Sequence, residues 1–278
     1  VCVNDSISFE GIVVQPDSSA LTWSWSFPNG KNSAVQNPSE SFSSDGNFLV
    51  TLVATNSSGC KDTVTSGILV HPLPNVNAGT DTMICRGNTY ILQSTGATSY
   101  EWKYDATINC TTCSSAVVNP VFNTVYHVTG TSQIGCKAAD SVKINVLQPF
   151  TLDVTADDTL CAGNSLQLKA NGAARYNWYP SAGLNNSSVS NPVATPGATT
   201  TYMVVASDHY SCFKDTGFLK LSVFTVPQFN IVENTITVPA GTTTKINTAS
   251  SPDITKWKWT PAKDLSCADC PEPMLTAT

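Results

Sequence analysis

Apolar and polar residues alternate in several short stretches of the 278-residue chain. Residues 100–103 and 257–260 both place an aromatic residue at every second position, with charged or polar residues between them. A period of two is typical of a β-strand with one buried face. Longer strands, each ending in a turn, are predicted at 48–53, 126–129 and 202–205. Amphipathic helices are not indicated, so the pattern predicts an all-β protein.

The same markers recur along the chain at a nearly constant period. Cys60, Cys136 and Cys212 are spaced 76 residues apart, and a Trp-centred pair precedes each of them by 34 or 35 residues. An Asn-Pro dipeptide lies between each pair and its cysteine. A tryptophan on a central strand is the usual anchor of a sandwich core. We therefore expect one core in each repeat, centred in turn on Trp25, Trp102, Trp178 and Trp259.

The repeats predict tandem immunoglobulin-like β-sandwiches arranged head to tail as a rod. Proline-bearing links give the expected bounds 1–73, 74–148, 149–226 and 227–278. Proline restricts the backbone, so we expect neighbouring domains to be stiffly coupled. The first domain is expected to lack its opening strand and the fourth to lack its last strands, which suggests a segment of a longer protein.

Composition excludes some classes of partner. Charged residues make up only 12% of the chain, and the formal net charge is −6. The chain has no run rich in Lys or Arg, so we expect neither nucleic-acid binding nor attachment to an anionic membrane. No apolar stretch approaches the ~18 residues of a membrane-spanning helix.

Ten cysteines in a regular arrangement indicate disulfides and an oxidising compartment. Cys110 and Cys113 form one C-x-x-C motif, and Cys267 and Cys270 form another. The two motifs lie too far apart in sequence to suggest one shared zinc site, and neither lies near a βαβ pattern. We expect a small local disulfide in each, with metal binding and redox activity as the alternatives.

The other six cysteines allow two sets of pairs. Pairing within repeats would give Cys2–Cys60, Cys85–Cys136 and Cys161–Cys212. In a sandwich, however, the two cysteines of a repeat are expected at opposite poles, beyond the reach of a disulfide. Pairing between neighbouring repeats would instead give Cys2–Cys136 and Cys85–Cys212, leaving Cys60 and Cys161 for partners elsewhere. The sequence leaves both sets open.

Motifs for catalysis or cofactor binding are absent. The three histidines have no motif-like nucleophile nearby, and G-x-S-x-G, H-E-x-x-H and P-loop patterns do not occur. We therefore expect no enzyme activity, no cofactor and no metal.

The first repeat resembles the PKD (polycystic kidney disease) domain. The similarity lies in Trp25 to Gly30, Asn37-Pro38 and the stretch from Asp45 to Cys60, with Pro28-Asn29-Gly30 in place of the usual Gly-Asp-Gly. In residues 178–184, 191–194, 199–202 and 259–271, the later repeats resemble Ig-like repeats of large Bacteroidota surface proteins. The resemblance implies export, by the type IX route, and membership in gliding-motility-associated or adhesin-type proteins.

Asp-Ser/Thr-apolar triplets resemble the O-glycosylation sequence of exported Bacteroidota proteins. The alternative is that Asp ends a turn and Thr begins a strand. The candidate acceptors are Ser6, Thr63, Thr82, Ser141 and Thr159.

Two hypotheses about function emerge. The first is a disulfide-stabilised stalk or shaft of a secreted cell-surface adhesin or filament, whose partners are neighbouring repeats and identical subunits. The alternative is a glycan-binding accessory region of a larger exported enzyme. Glycan binding needs outward-facing aromatic residues, and Tyr179 and Tyr210 are the two candidates.

Overall fold

The computed structural model describes residues 1–14, 21–233 and 235–277, and this part of the chain is all-β, with no helix. It divides into two compact units, Val1–Pro149 and Phe150–Thr278.

The first sandwich, in the first unit, has six strands. They are β1 (Ile7–Ser8), β2 (Thr22–Ser26), β3 (Asn32–Ser33), β4 (Ser39–Glu40), β5 (Gly46–Thr55) and β6 (Lys61–Val70). One sheet has the order β3-β2-β5-β6, and β1 pairs with β4 in the other. Its core is rich in aromatic rings: Trp25 packs against Phe9 and Phe27, with ring centroids 5.6 and 6.3 Å away.

The second sandwich, also in the first unit, has six strands too. They are β7 (Thr82–Cys85), β8 (Tyr90–Gln93), β9 (Ser99–Trp102), β10 (Ser115–Val118), β11 (Thr124–Thr131) and β12 (Lys137–Leu147). The larger sheet has the order β7-β12-β11-β9, in which only the β7–β12 pair is parallel, and β8 pairs with β10 opposite it. Trp102 and Tyr126 are fully buried between the two sheets.

The third sandwich, in the second unit, repeats this plan. Its strands are β13 (Asp153–Val154), β14 (Asp158–Cys161), β15 (Leu166–Gln167), β16 (Ala170–Asn171), β17 (Arg175–Tyr179), β18 (Val193–Ala194), β19 (Thr200–Ser207) and β20 (Lys214–Phe224). The order β14-β20-β19-β17 matches that of the second sandwich, again with the first pair parallel. Trp178 and Tyr202 occupy the core positions of Trp102 and Tyr126.

The fourth repeat forms only two small sheets in its described part. Its strands are β21 (Phe229–Ile231), β22 (Thr243–Lys245), β23 (Thr248–Ser250) and β24 (Met274–Thr276), with β21 on β23 and β22 on β24. The strand predicted at 257–260 is wrong, since these residues have no strand structure. In the other sandwiches a long neighbouring strand (β5, β11 or β19) pairs with the Trp strand, and no described strand does so here.

Three separate cores follow the repeats. The cluster around Trp25 draws on residues 3–70, that around Trp102 on 76–146, and that around Trp178 on 152–221. Two layers of sheet around a buried tryptophan, antiparallel except for the β7–β12 and β14–β20 pairs, confirm the predicted fold class, immunoglobulin-like β-sandwiches in tandem. Trp259 is only half-buried, whereas the tryptophans at the equivalent positions of the other three repeats are buried.

Candidate functional site

Each C-x-x-C motif lies on the loop that receives a core tryptophan. The Trp102 indole N–H donates to the carbonyl oxygen of Cys113, at 3.0 Å, and Trp259 donates in the same way to Cys270, at 2.8 Å. The backbone N–H of each tryptophan donates to a carbonyl within the same loop. Disulfides Cys110–Cys113 and Cys267–Cys270 close these loops, with 5.8 and 5.9 Å between Cα atoms.

The third sandwich makes the same contacts without a disulfide. Trp178 donates its indole N–H to Val189, at 2.9 Å, and its backbone N–H to Ser187, at 2.8 Å. The Asn186 side chain accepts the backbone N–H of Ser188, which fixes the turn. Because an asparagine turn replaces the motif at an equivalent position, the C-x-x-C disulfide acts as a loop staple. Among the described residues no group of three or more His, Cys, Asp or Glu side chains could hold a metal ion.

A disulfide joins the first two sandwiches. Cys2 is bonded to Cys136, with a Cα–Cα distance of 5.6 Å that lies within the usual range. Of the two sets of pairs that the sequence left open, the structure has the pairing between repeats at this site. The pairs Cys2–Cys60 and Cys85–Cys136 are consequently absent, because each would need a cysteine already bonded in Cys2–Cys136.

Cys2 is held in place by the link between the sandwiches. The backbone N–H of Val3 donates to the His71 carbonyl at 3.0 Å, and that of His71 donates to Val1 at 2.8 Å. The Asp5 carboxylate accepts the Cys2 backbone N–H at 2.9 Å. Cys2 therefore continues the sheet beside the end of β6, where the chain leaves the first sandwich.

Cys136 is held by the turn between β11 and β12. It is fully buried, and its backbone N–H donates to the Ser132 hydroxyl at 3.1 Å. Gly135 takes a positive φ of 91°, a conformation in which glycine has no Cβ penalty. A groove of about 300 Å³ lies beside the disulfide, lined in part by Asp5, Leu73 and Lys137. The junction thus has defined geometry on both sides of the bond.

The remaining cysteines differ in state. Cys60 and Cys161 are free and exposed. Cys85 and Cys212 are each disulfide-bonded.

The candidate acceptors for O-glycosylation are mostly accessible. Ser6, Thr63, Ser141 and Thr159 are exposed, and Thr82 is half-buried on β7.

The two tyrosines predicted to contact glycans lie apart. Tyr179 ends β17 and is 49% exposed, whereas Tyr210 lies in the β19–β20 turn with its ring centroid 5.2 Å from that of His209. The sequence did not identify Phe218, which is 63% exposed on the same sheet as Tyr179. Its outward position could have been inferred from the inward Leu219 and Leu221, since alternate residues of a strand face opposite sides.

The described residues contain no helix long and apolar enough to cross a bilayer.

Comparison with known protein families gives a match over the first sandwich. Residues 1–70 match the family model described as the PKD domain. No protein with a curated description is similar to the chain in sequence.

Several solved structures of multi-domain proteins align along most of the chain. Domains 3–5 of the extracellular region of Drosophila OTK are 10% identical, cover 80% of this chain and 93% of that one, and give a TM-score of 0.36. Three N-terminal domains of the Highly Immunogenic Outer Capsid protein (Hoc) of bacteriophage RB49 are 15% identical, with coverage of 80% and 95% and a TM-score of 0.39. Immunoglobulin domains 1–4 of Sidekick-1 are 14% identical, with coverage of 100% and 88% and a TM-score of 0.30. Because these identities and scores are low, the fold assignment depends on the strand pairing described above.

Proposed function

We propose that the chain is a force-carrying stalk segment of an exported cell-surface adhesin or filament protein, with no catalytic role of its own. The observation that carries this proposal is the Cys2–Cys136 disulfide between two sandwiches that have separate cores. A disulfide within one sandwich would stabilise only that sandwich. A disulfide between two sandwiches also fixes how they are joined.

The bond changes the path that a pulling force takes. A pull applied at Cys2 reaches Cys136 through the disulfide, so the 134-residue separation between them is bypassed. The first sandwich and most of the second would then stay folded under load, even at forces that unfold an unlinked sandwich. Such protection is useful in a stalk and has no evident use in an enzyme.

Location at the cell surface is part of the proposal. Disulfides persist in oxidising compartments, which supports an extracellular site. The PKD match of residues 1–70 and the resemblance of the later repeats support a Bacteroidota surface protein of the gliding-motility or adhesin type, exported by the type IX route. Exposed acceptors such as Ser6 and Thr63 would carry O-linked glycans in such a protein.

Single-molecule stretching of the whole chain tests the force path. Reduction should lengthen the fully stretched wild-type chain by at least about 450 Å, because 134 residues are released at roughly 3.3–3.6 Å each. Without reductant, the Cys2→Ser/Cys136→Ser variant should extend further than the wild type. With reductant the two chains should reach the same length, which controls for attachment. Equal lengths of wild type and variant without reductant would contradict the proposal.

A further inference from the structure

The sheet that contains the tryptophan strand has an outer face, turned away from the core. In the third sandwich one row of residues on this face differs from the corresponding row in the first and second sandwiches. Register places one residue from each of three neighbouring strands side by side, directly after the buried tryptophan. In the third sandwich this row, here called the apolar row, consists of Tyr179, Met203 and Phe218. The equivalent residues are Lys103, His127 and Ser141 in the second sandwich and Ser26, Thr51 and Thr65 in the first.

Tyr179 and Phe218 of the apolar row are exposed, Met203 between them is half-buried, and none of the three packs in the core of the sandwich. Tyr179 and Phe218 are 49% and 63% exposed, and neither belongs to the core cluster around Trp178. An exposed apolar group is costly in water, and contiguous patches commonly mark binding surfaces. The first and second sandwiches have polar residues at the equivalent positions, so the fold does not require apolar residues in this row.

A pair of cations lies on the same face, two rows away. Arg175 and Lys214 flank Ser207 across the sheet, and between them and the apolar row lie Asn177, Val205 and Thr216. Successive rows are about 6.8 Å apart along a strand, so the cations lie about 13 Å from the apolar row. Within the described part of the chain neither cation has a salt-bridge partner, although the whole chain carries a net charge of −6.

The charge pattern of this face also differs between sandwiches. At the middle row the second sandwich has Glu101, where the third has the neutral Asn177. At the row of cations the second has Ser99 and Lys137, so Arg175 has no counterpart. A groove of about 340 Å³ runs along the third sandwich, lined by Arg175, Asn177, Tyr179, Ser211 and Lys214 among others, without a carboxylate.

We infer that this face of the third sandwich binds anionic saccharide chains. Aromatic rings can pack on the apolar C–H face of a sugar ring, and a few placed polar groups provide orientation. Arg175 offers the planar donor fork that suits a carboxylate or sulfate, and Lys214 adds a second positive charge. The distance between cations and rings is compatible with a chain of a few sugar units. This activity goes beyond the proposed stalk role and does not depend on the Cys2–Cys136 disulfide.

Affinity electrophoresis of the whole chain tests the inference. The gels contain polygalacturonate, dextran sulfate or neutral dextran, which separate carboxylate, sulfate and uncharged ligands. We expect retardation by at least one anionic polymer and none by dextran. Tyr179→Ala and Phe218→Ala should each weaken binding about tenfold, equivalent to ~1.4 kcal/mol. Arg175→Gln should weaken it similarly and reduce its dependence on salt.

Matched variants in the second sandwich act as controls. Lys137→Gln removes a cation from the equivalent row, and Tyr104→Ala removes a tyrosine that is 78% exposed. Both should bind as the wild type does. Thermal unfolding should be unchanged in every variant, because all the altered side chains are exposed.

Four results would overturn the inference. They are no retardation by any polymer, equal retardation by dextran, anion binding that Tyr179→Ala and Phe218→Ala leave unchanged, and saccharide-free self-association that Phe218→Ala abolishes. Anion binding that the two aromatic substitutions leave unchanged would mean that only charge attraction is involved. Self-association that Phe218→Ala abolishes would identify a second copy of the chain as the partner.

Discussion

The second and third sandwiches have nearly the same interior and different exteriors. Tyr100 and Tyr176 both donate their hydroxyl to an alanine carbonyl three residues earlier, at 2.9 and 2.8 Å. Trp102 and Trp178 both donate to a carbonyl 11 residues later. Outside, the apolar row of the third sandwich replaces a row of Lys, His and Ser. The comparison shows that the contacts of the buried aromatic residues are the same in the two sandwiches, whereas the residues of the outer face differ.

The largest expected effect comes from the shared tryptophan. Trp102→Ala and Trp178→Ala should each destabilise their own sandwich by about 3–5 kcal/mol, because each leaves a cavity and an unpaired carbonyl. Trp259→Ala should cost clearly less, since Trp259 is only half-buried. Hydrogen exchange of β11, β19 and β24 reports on the second sandwich, the third sandwich and the fourth repeat separately. A Trp259→Ala loss as large as the other two would contradict this ranking.

The second-largest loss of stability is expected from substitutions at two glycines in equivalent positions of the second and third sandwiches. Gly96 and Gly172 have φ angles of +88° and +103°, and a Cβ on either would overlap a backbone carbonyl oxygen, of Asn75 or Thr151. Alanine at either position should cost about 2 kcal/mol or more, combining a left-handed backbone with overpacking. Gly67→Ala in β6 meets no atom within 4 Å and serves as the control. Denaturant unfolding would contradict the prediction if all three variants behaved alike.

The disulfides of the C-x-x-C loops should contribute less to the free energy of unfolding than the tryptophans and the glycines do. Removing the Cys110–Cys113 bond with Cys→Ser changes should cost the second sandwich up to about 2 kcal/mol in the chain-entropy model, since the loop is short. Conversely, Asn186→Cys with Val189→Cys should form a disulfide in the third sandwich and stabilise it under oxidising conditions. Thiol titration and unfolding midpoints measure both changes. Free thiols at both introduced cysteines would show that the two loops are not equivalent.

The smallest effect is a difference in acid sensitivity. The Ala78 backbone N–H donates to the Asp140 carboxylate at 2.8 Å and, with the N–H of Ser141, lowers the pKa of Asp140 below 3.8. The third sandwich has Gly217 in this register position, where a Cβ would overlap Val154. Asp140→Asn should cost less than about 1 kcal/mol at neutral pH, because solvent screens the carboxylate.

The pH dependence follows from the direction of that shift. Folding lowers the pKa of Asp140, so its stabilisation is present above pH 3.8 and is lost as the pH falls through the lower folded value. The gap in unfolding midpoint between wild type and Asp140→Asn should therefore shrink from pH 5 towards pH 3. A gap that stays constant over this range would mean that the Asp140 charge does not contribute.

The pattern of apolar and polar residues was sufficient to predict the strands that form the repeated cores. Recurrence of the Trp-centred pair predicted a strand at Trp178, which the structure contains as β17. Alternation at 100–103 predicted the strand that ends at Trp102, because a period of two follows directly from the pleat of a strand. The same pattern failed at 257–260, since alternation indicates a buried face and does not supply a partner strand.

Two features of the candidate sites could not be derived from the pattern of apolar and polar residues along the chain. The choice of Cys136 as the partner of Cys2 depends on how the first two sandwiches meet, which periodicity within a repeat does not specify. The apolar row depends on register between strands that are distant in sequence. The sequence predicted an outward Tyr179, whereas the placement of Met203 and Phe218 beside it follows from the pairing of β17, β19 and β20.

Peptide mapping without reduction shows directly whether a disulfide joins the first two sandwiches. The protein is alkylated while folded, digested and analysed by mass spectrometry. We expect one cross-linked species containing Cys2 and Cys136, together with alkylated Cys60 and Cys161. A species linking Cys2 to Cys60, or Cys85 to Cys136, would show that the bonds lie within repeats, and the force path proposed for the stalk would not exist.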